Sequence, residues 1–288
     1  PGGGHKEGIT AAIAEEWKPG ERRYAVEYYC EECEDVGEAK SVYKGYKRAE
    51  IADERLYQEA VDEWERRTDL HEYVPSEEIP PGHMTSERNP VFDHGYKQWT
   101  DMFNERQLLS LAKLLSSIES IGEQHLRETL LLVFSGMTRT NVTFVNYDFS
   151  YNKVTNVFKT NSFDPVGRPT EGNIWGAEDG RGTFCSIYDI VERAVSYARD
   201  PTDRHVENNE TVETDAFSQP IGVNSSVYQG DMREITAKGE YDAVITDPPY
   251  YDNIIYSEVA DYFYVWQKIL LEDEYEEFQY DKTPRPEA

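Results

Sequence analysis

The stretch "YDAVITDPPYYDN" at 241–253 constrains the fold more than any other part of this chain. Its first half, "DAVIT", is a compact apolar run that reads as a buried strand. Two prolines then stop the strand, because they fix φ and carry no N–H for a ladder. Ahead of it, "SSVYQGDMREI" (225–235) reads as a shorter apolar strand ending in Gly230 and Asp231. Behind it, "IIYSEVADYFYVWQKILLEDE" (254–274) reads as an amphipathic, strongly aromatic helix. Strand, turn, strand, helix in this order predicts part of a parallel α/β sheet.

Ligands of open α/β sheets bind beyond the carboxyl ends of their strands, where "DPPY" falls. Pro248 and Pro249 leave the loop with carbonyls and the Asp247 carboxylate, which are acceptors without competing donors. Such a set suits a donor group such as an exocyclic amine. The lone pair of an aromatic amine is delocalised into its ring, so the amine is a poor nucleophile. Two acceptors on its two hydrogens draw the nitrogen toward sp³ and free that pair for attack. Tyr250 adds a flat face on which a base swung out of its stack can lie. Tyr251 and Asn253 are the neighbouring substrate-side candidates. The chemistry is transfer of an electrophilic group to a base amino nitrogen.

Upstream, helical spacing dominates. "IADERLYQEAVDEWERRTD" (51–69) predicts a helix with an acidic face. "ERQLLSLAKLLSSIESI" repeats Leu108, Leu111, Leu115 and Ile118 behind an Asn104 cap. Gly122 breaks the pattern, and "EQHLRETLLLVFSGMTRTN" resumes it. A fourth helix is expected over 184–200, followed by a polar connector. Residues 73–90, with four prolines, read as a linker or surface-crossing loop, and 142–183 as a long structured loop. "RRYAVEYY" (22–29) alternates as a short strand leading into "CEEC". Cys30 and Cys33 have the gap of a zinc knuckle but are only two of the four ligands a structural zinc needs, so zinc is doubtful and the pair also reads as a plain turn. The expected organisation is a ribbon-like segment and acidic helix over 1–72, a linker over 73–90, a helical region with its loop over 91–200, and an α/β part over 201–288.

Composition bounds the setting. The 56 Asp and Glu stand against 29 Lys and Arg, a formal net charge of −27, and the acids are scattered along the chain. A surface of this kind reads as one adapted to high salt, where the Debye length falls to about 3 Å at 1 M and a polyanion can still be met through a local site; the alternative is that the partner is not a polyanion. Three cysteines and no signal-peptide pattern predict a reducing, cytoplasmic setting. No apolar run approaches the roughly 20 residues of a membrane span. Phosphate-binding loops and hydrolase nucleophile elbows are absent from the sequence.

"DPPY" resembles the catalytic motif of amino-group methyltransferases that use S-adenosylmethionine. The wider "YDAVITDPPYYDNIIYSEVADYFYVW" is similar to the adenine-specific DNA methylases that carry a zinc-ribbon insert, and the likeness extends to "VPSEEIPPGHM", "GYKQWTDMFNERQLLSLAKLL" and "SVYQGDMREI". The resemblance implies a partial Rossmann-like methyltransferase sheet with a helical insertion and a small N-terminal ribbon. It implies that Asp247, Pro248, Pro249 and Tyr250 grip and stack an adenine of DNA, or an RNA base in the nearest alternative. Gly230, Asp231 and Met232, with Asp247, would receive the cofactor. The Gly-rich "FxGxG"-type turn of such enzymes does not occur in these 288 residues. It is expected upstream of residue 1, in a missing N-terminal part of the same protein or in a companion subunit. In the absence of that partner the chain is a fragment or a non-catalytic recognition subunit.

Overall fold

The structure, a computed structural model, describes residues 23–30, 43–88, 91–159, 163–165, 168–176, 180–215, 217–228, 230–236, 239–248 and 255–283. Helices and small sheets alternate along the chain, a mixed α/β composition without a barrel among the described residues. Two compact units divide it, one formed by 1–187 and 255–288 and the other by 188–254.

The first unit is built on helices. Strands β1 (Ala25–Cys30) and β2 (Tyr43–Arg48) form an antiparallel ribbon, and α1 (Ile51–Arg66) follows. Helix α2 (Glu105–Glu119) starts where Asn104 predicted. The Asn104 side chain accepts from the Gln107 amide at 2.9 Å, and Gln107 answers the Asn104 amide at 3.0 Å. A reciprocal box of this type contributes about 1 kcal/mol. The periodic Leu108, Leu111, Leu115 and Ile118 are all buried. After Gly122, the Glu123 carboxylate caps α3 (Gln124–Thr138) by accepting from the His125 and Leu126 amides.

Helix α5 (Tyr256–Leu271), which follows α4 (Phe184–Arg199) in chain order, supplies the aromatic centre. Tyr262 and Trp266 are fully buried. Tyr262 lies parallel to Phe103 and edge-on to Trp99, while Trp266 meets Phe103 at 5.3 Å and Phe134 at 5.6 Å. The Tyr262 phenol donates to the Thr138 carbonyl at 2.9 Å, which removes the cost of burying it. Phe263 is half-buried against Phe158.

Residues 73–88 are anchored to these helices. Ile79 and Met84 are buried, the Ile79 amide donates to the Lys97 carbonyl at 2.8 Å, and Glu77 ion-pairs with Lys268 at 2.6 Å. Their prolines read as slack only because the anchoring partners lie far away in sequence. The loop over 142–183 is structured, as expected: Val142, Phe144, Val145, Val157 and Phe163 are buried, and a short hairpin pairs β3 (Tyr147–Asp148) with β4 (Lys153–Val154).

The second unit takes up α4 (Phe184–Arg199) from Tyr188 onward. A hairpin of β5 (Arg204–Glu207) and β6 (Glu210–Glu213) follows, turning through Asn208 and Asn209, both at positive φ (52° and 64°). The polar connector expected here is therefore a hairpin, whose two-residue Asn-Asn turn matches the twist of its strands. Among the described residues none of the buried core hydrophobics lies between 188 and 254.

Among the described residues the two strands expected at 225–231 and 241–247 are not formed. Residues 225–228 and 243–248 have no regular secondary structure, and Met232–Glu234 is a 3₁₀ turn. Backbone groups of a strand are satisfied by neighbouring strands, and no described segment pairs with either stretch. Every sheet among the described residues is two-stranded and antiparallel. Without a ladder, the side chains that a parallel sheet would bury stay in the open, Val244 at 76% and Ile245 at 96% exposure.

Candidate functional site

The motif residues that the structure describes belong to the second unit. Gly239 turns the chain at φ 71°, and the run from Tyr241 leads to Asp247 and Pro248, both exposed. Among the described residues the Asp247 carboxylate has no hydrogen-bond partner, so its acceptors remain available. Pro249, Tyr250, Tyr251 and Asn253 lie outside the described residues, as does Cys33; Cys30 ends β1, and its side chain is also outside them.

Gly230, Asp231 and Met232 form an exposed turn. Asp231 caps the 3₁₀ turn by accepting from the Arg233 amide at 2.8 Å, and its carboxylate also receives the Arg233 guanidinium. Those hydrogen bonds, the guanidinium's first, hold the Asp231 carboxyl below the usual carboxylate range. A Cβ on Gly230 would meet nothing within 4 Å, so no close backbone approach requires that glycine here.

A nucleoside cofactor needs a concave, largely apolar cleft with a few polar groups aimed into it. The Asp231 carboxylate is occupied by Arg233, and Met232 stands 66% exposed. The described residues therefore do not fit S-adenosylmethionine as they stand. Two shallow hollows of 330 and 510 Å³ lie elsewhere, lined by Glu78, Lys97 and Asp101 in one unit and by Tyr197, Arg204 and Glu213 in the other. Among the described residues no group of three or more His, Cys, Asp or Glu could hold a metal, and no helix is long and apolar enough to cross a membrane.

One polar device in the first unit escaped the sequence reading. Glu258, in the first turn of α5, is buried, and its carboxylate accepts from the His83 and Met84 amides, both at 2.9 Å. Gly82 packs directly on that carboxylate. The signal was an acid on the apolar face of "YSEVADYFYVW", a position where a charge survives only if it is satisfied. Asp261, one turn on, is likewise buried and accepts from the Thr283 amide at 3.0 Å.

Comparison with models of protein families, with curated proteins and with solved structures finds no match to this chain.

Proposed function

We propose that this chain carries the target-amine loop of an amino-methyltransferase that modifies the N6 amine of adenine in DNA, with S-adenosylmethionine as methyl donor. The observation behind this reading is the exposed Asp247-Pro248 acceptor pair that closes the apolar "DAVIT" run and continues in sequence, through the rest of "DPPYYDNI", into α5. In the proposed role Asp247 and the Pro248 carbonyl accept the two amine hydrogens, and Tyr250 stacks the base.

The cofactor cleft belongs to a more complete sheet. Residues 225–228 and 241–247 have the apolar pattern of parallel strands, and their exposed side chains and open backbone suit pairing with further strands. In this proposal those strands come from another part of the same protein or from a companion subunit, and the assembled sheet is Rossmann-like. A cytoplasmic setting belongs to the same proposal.

The misfit between Asp231 and a nucleoside favours a second reading, in which the chain is a non-catalytic recognition subunit. Micromolar binding of S-adenosylmethionine to this chain, read by calorimetric titration, would count against the recognition subunit. Transfer of tritiated methyl groups to DNA, and not to RNA, supports the DNA assignment. Transfer to RNA alone replaces the substrate, and incorporation unaffected by Asp247→Ala overturns the role of the loop.

A further inference from the structure

The basic residues of this chain are few, yet β2 reads "YKGYKR", three cations without an acid. Its pairing with β1 places Lys44, Tyr46 and Arg48 on one face of the ribbon, beside Glu27. That face meets the β3–β4 hairpin. The Tyr46 and Tyr147 hydroxyls are 2.6 Å apart, Tyr147 donates to Glu27 at 2.5 Å, and the Lys44 ammonium donates to the Asn152 carbonyl at 2.8 Å. Burial, then the Glu27 and Tyr46 hydrogen bonds, raise the Tyr147 phenol far above its ordinary range, so it remains a neutral donor. The junction is thus fixed in place.

On this frame aromatic rings follow one another. Tyr46 meets Tyr147 edge-on at 6.1 Å, and Tyr147 meets Phe149 at 5.1 Å. Tyr46, Phe149 and Tyr151 are 53, 76 and 72% exposed, and the Lys153 ammonium lies 4.5 Å from the Tyr151 ring centroid. Isolated exposed aromatics are ordinary, but a run of touching rings set on a fixed junction is not. Lys44, Arg48, Lys153 and Lys159 oppose Glu27 and Asp148 here, an excess of cations in a chain with 56 acids to 29 bases.

We propose that the ribbon face and the hairpin together bind single-stranded nucleic acid, bases stacking on Phe149, Tyr151 and Tyr46 and phosphates meeting Arg48, Lys153 and Lys159. Every base has a π-face, so rings interleaved with cations give sequence-tolerant affinity. The charge argues for a polyanion, the interleaving of exposed rings with cations suits its unstacked bases and its phosphates together, and duplex bases are not open to stacking. At high ionic strength stacking persists while long-range attraction is screened. The inference stands apart from the proposed reaction, since it needs neither the cofactor nor residues 225–250.

The test is fluorescence anisotropy of the full chain with a labelled oligothymidylate of about 12 nucleotides, alongside the matching oligouridylate and a duplex. Wild type should bind both single strands and the duplex more weakly. The double variant Phe149→Ala, Tyr151→Ala should weaken single-strand binding by about tenfold or more. Lys153→Glu should weaken it and flatten its dependence on salt. These side chains are exposed, and unchanged circular dichroism verifies that each variant is folded. Absence of wild-type binding, equal affinity for duplex, or unchanged affinity in the double variant overturns the proposal. So does a patch substitution that alters only self-association.

Discussion

Removing the Glu258 carboxylate should loosen the first turn of α5 and the chain over 82–84 together. Its two oxygens accept from the His83 and Met84 amides at 2.9 Å each, the second of these bonds being wholly buried. A buried donor left without a partner costs about 1–3 kcal/mol, and more when the lost acceptor was charged. With one donor fully and one partly buried, Glu258→Ala should cost about 2–4 kcal/mol. Gly82 supplies an internal control. A Cβ there would lie 2.5 Å from the Glu258 carboxyl carbon, which the two amides keep from retreating. Gly82→Ala should therefore destabilise the wild type by about 1–3 kcal/mol and much less in the Glu258→Ala background. Urea unfolding of the four proteins, monitored by tryptophan fluorescence because Trp99 and Trp266 are in the core, reads the coupling directly. A Glu258→Ala cost below about 0.5 kcal/mol, or additivity of the two substitutions, would refute the reasoning.

Other consequences are simpler to check. Asn104→Ala removes the cap of α2 and should cost about 1 kcal/mol in the same unfolding experiment. Asp53 is held below its ordinary carboxylate range, first by the Glu50 amide and then by Lys47. Since its folded value is depressed, its support of the α1 start is present above about pH 4 and lost as pH falls through the folded value; hydrogen exchange of the α1 amides against pH should follow that sign. With a net charge of −27, thermal unfolding should shift upward as salt rises from about 0.1 to 1 M, and a flat or falling midpoint contradicts a salt-adapted surface. Amides of 225–228 and 241–247 should exchange rapidly in the isolated chain, because no described strand pairs with them; strong protection there contradicts the open arrangement.

The helices were legible because each announced itself locally: Asn104 as a cap, Leu108 to Ile118 at helical spacing, Gly122 as a break. Features that depend on distant partners were not. The Glu258 carboxylate and the His83 amide are 175 positions apart, and Tyr46 and Tyr147 are 101 apart, so neither the buried latch nor the aromatic surface has a linear signature. The β5–β6 hairpin was overlooked because its strands, "RHVE" and "ETVE", are exposed on every residue and read as polar, although Asn208 and Asn209 marked the turn. For 225–231 and 241–247 the apolar pattern was read as two strands, but a strand is a property of a pair, and no described segment pairs with either stretch. The same holds for Gly230 and Asp231: the resemblance and their place after an expected strand nominated them, whereas the structure gives Asp231 to Arg233.

The proposed activity is tested most directly in the native cell, where any strands or subunit that complete the sheet are present. Genomic DNA from cells carrying wild type or Asp247→Ala would be digested to nucleosides and its N6-methyladenine measured by mass spectrometry. Methyladenine that depends on the wild-type chain and disappears with Asp247→Ala is the predicted result. Methyladenine that is unchanged by the substitution, or that never depended on the chain, would contradict it.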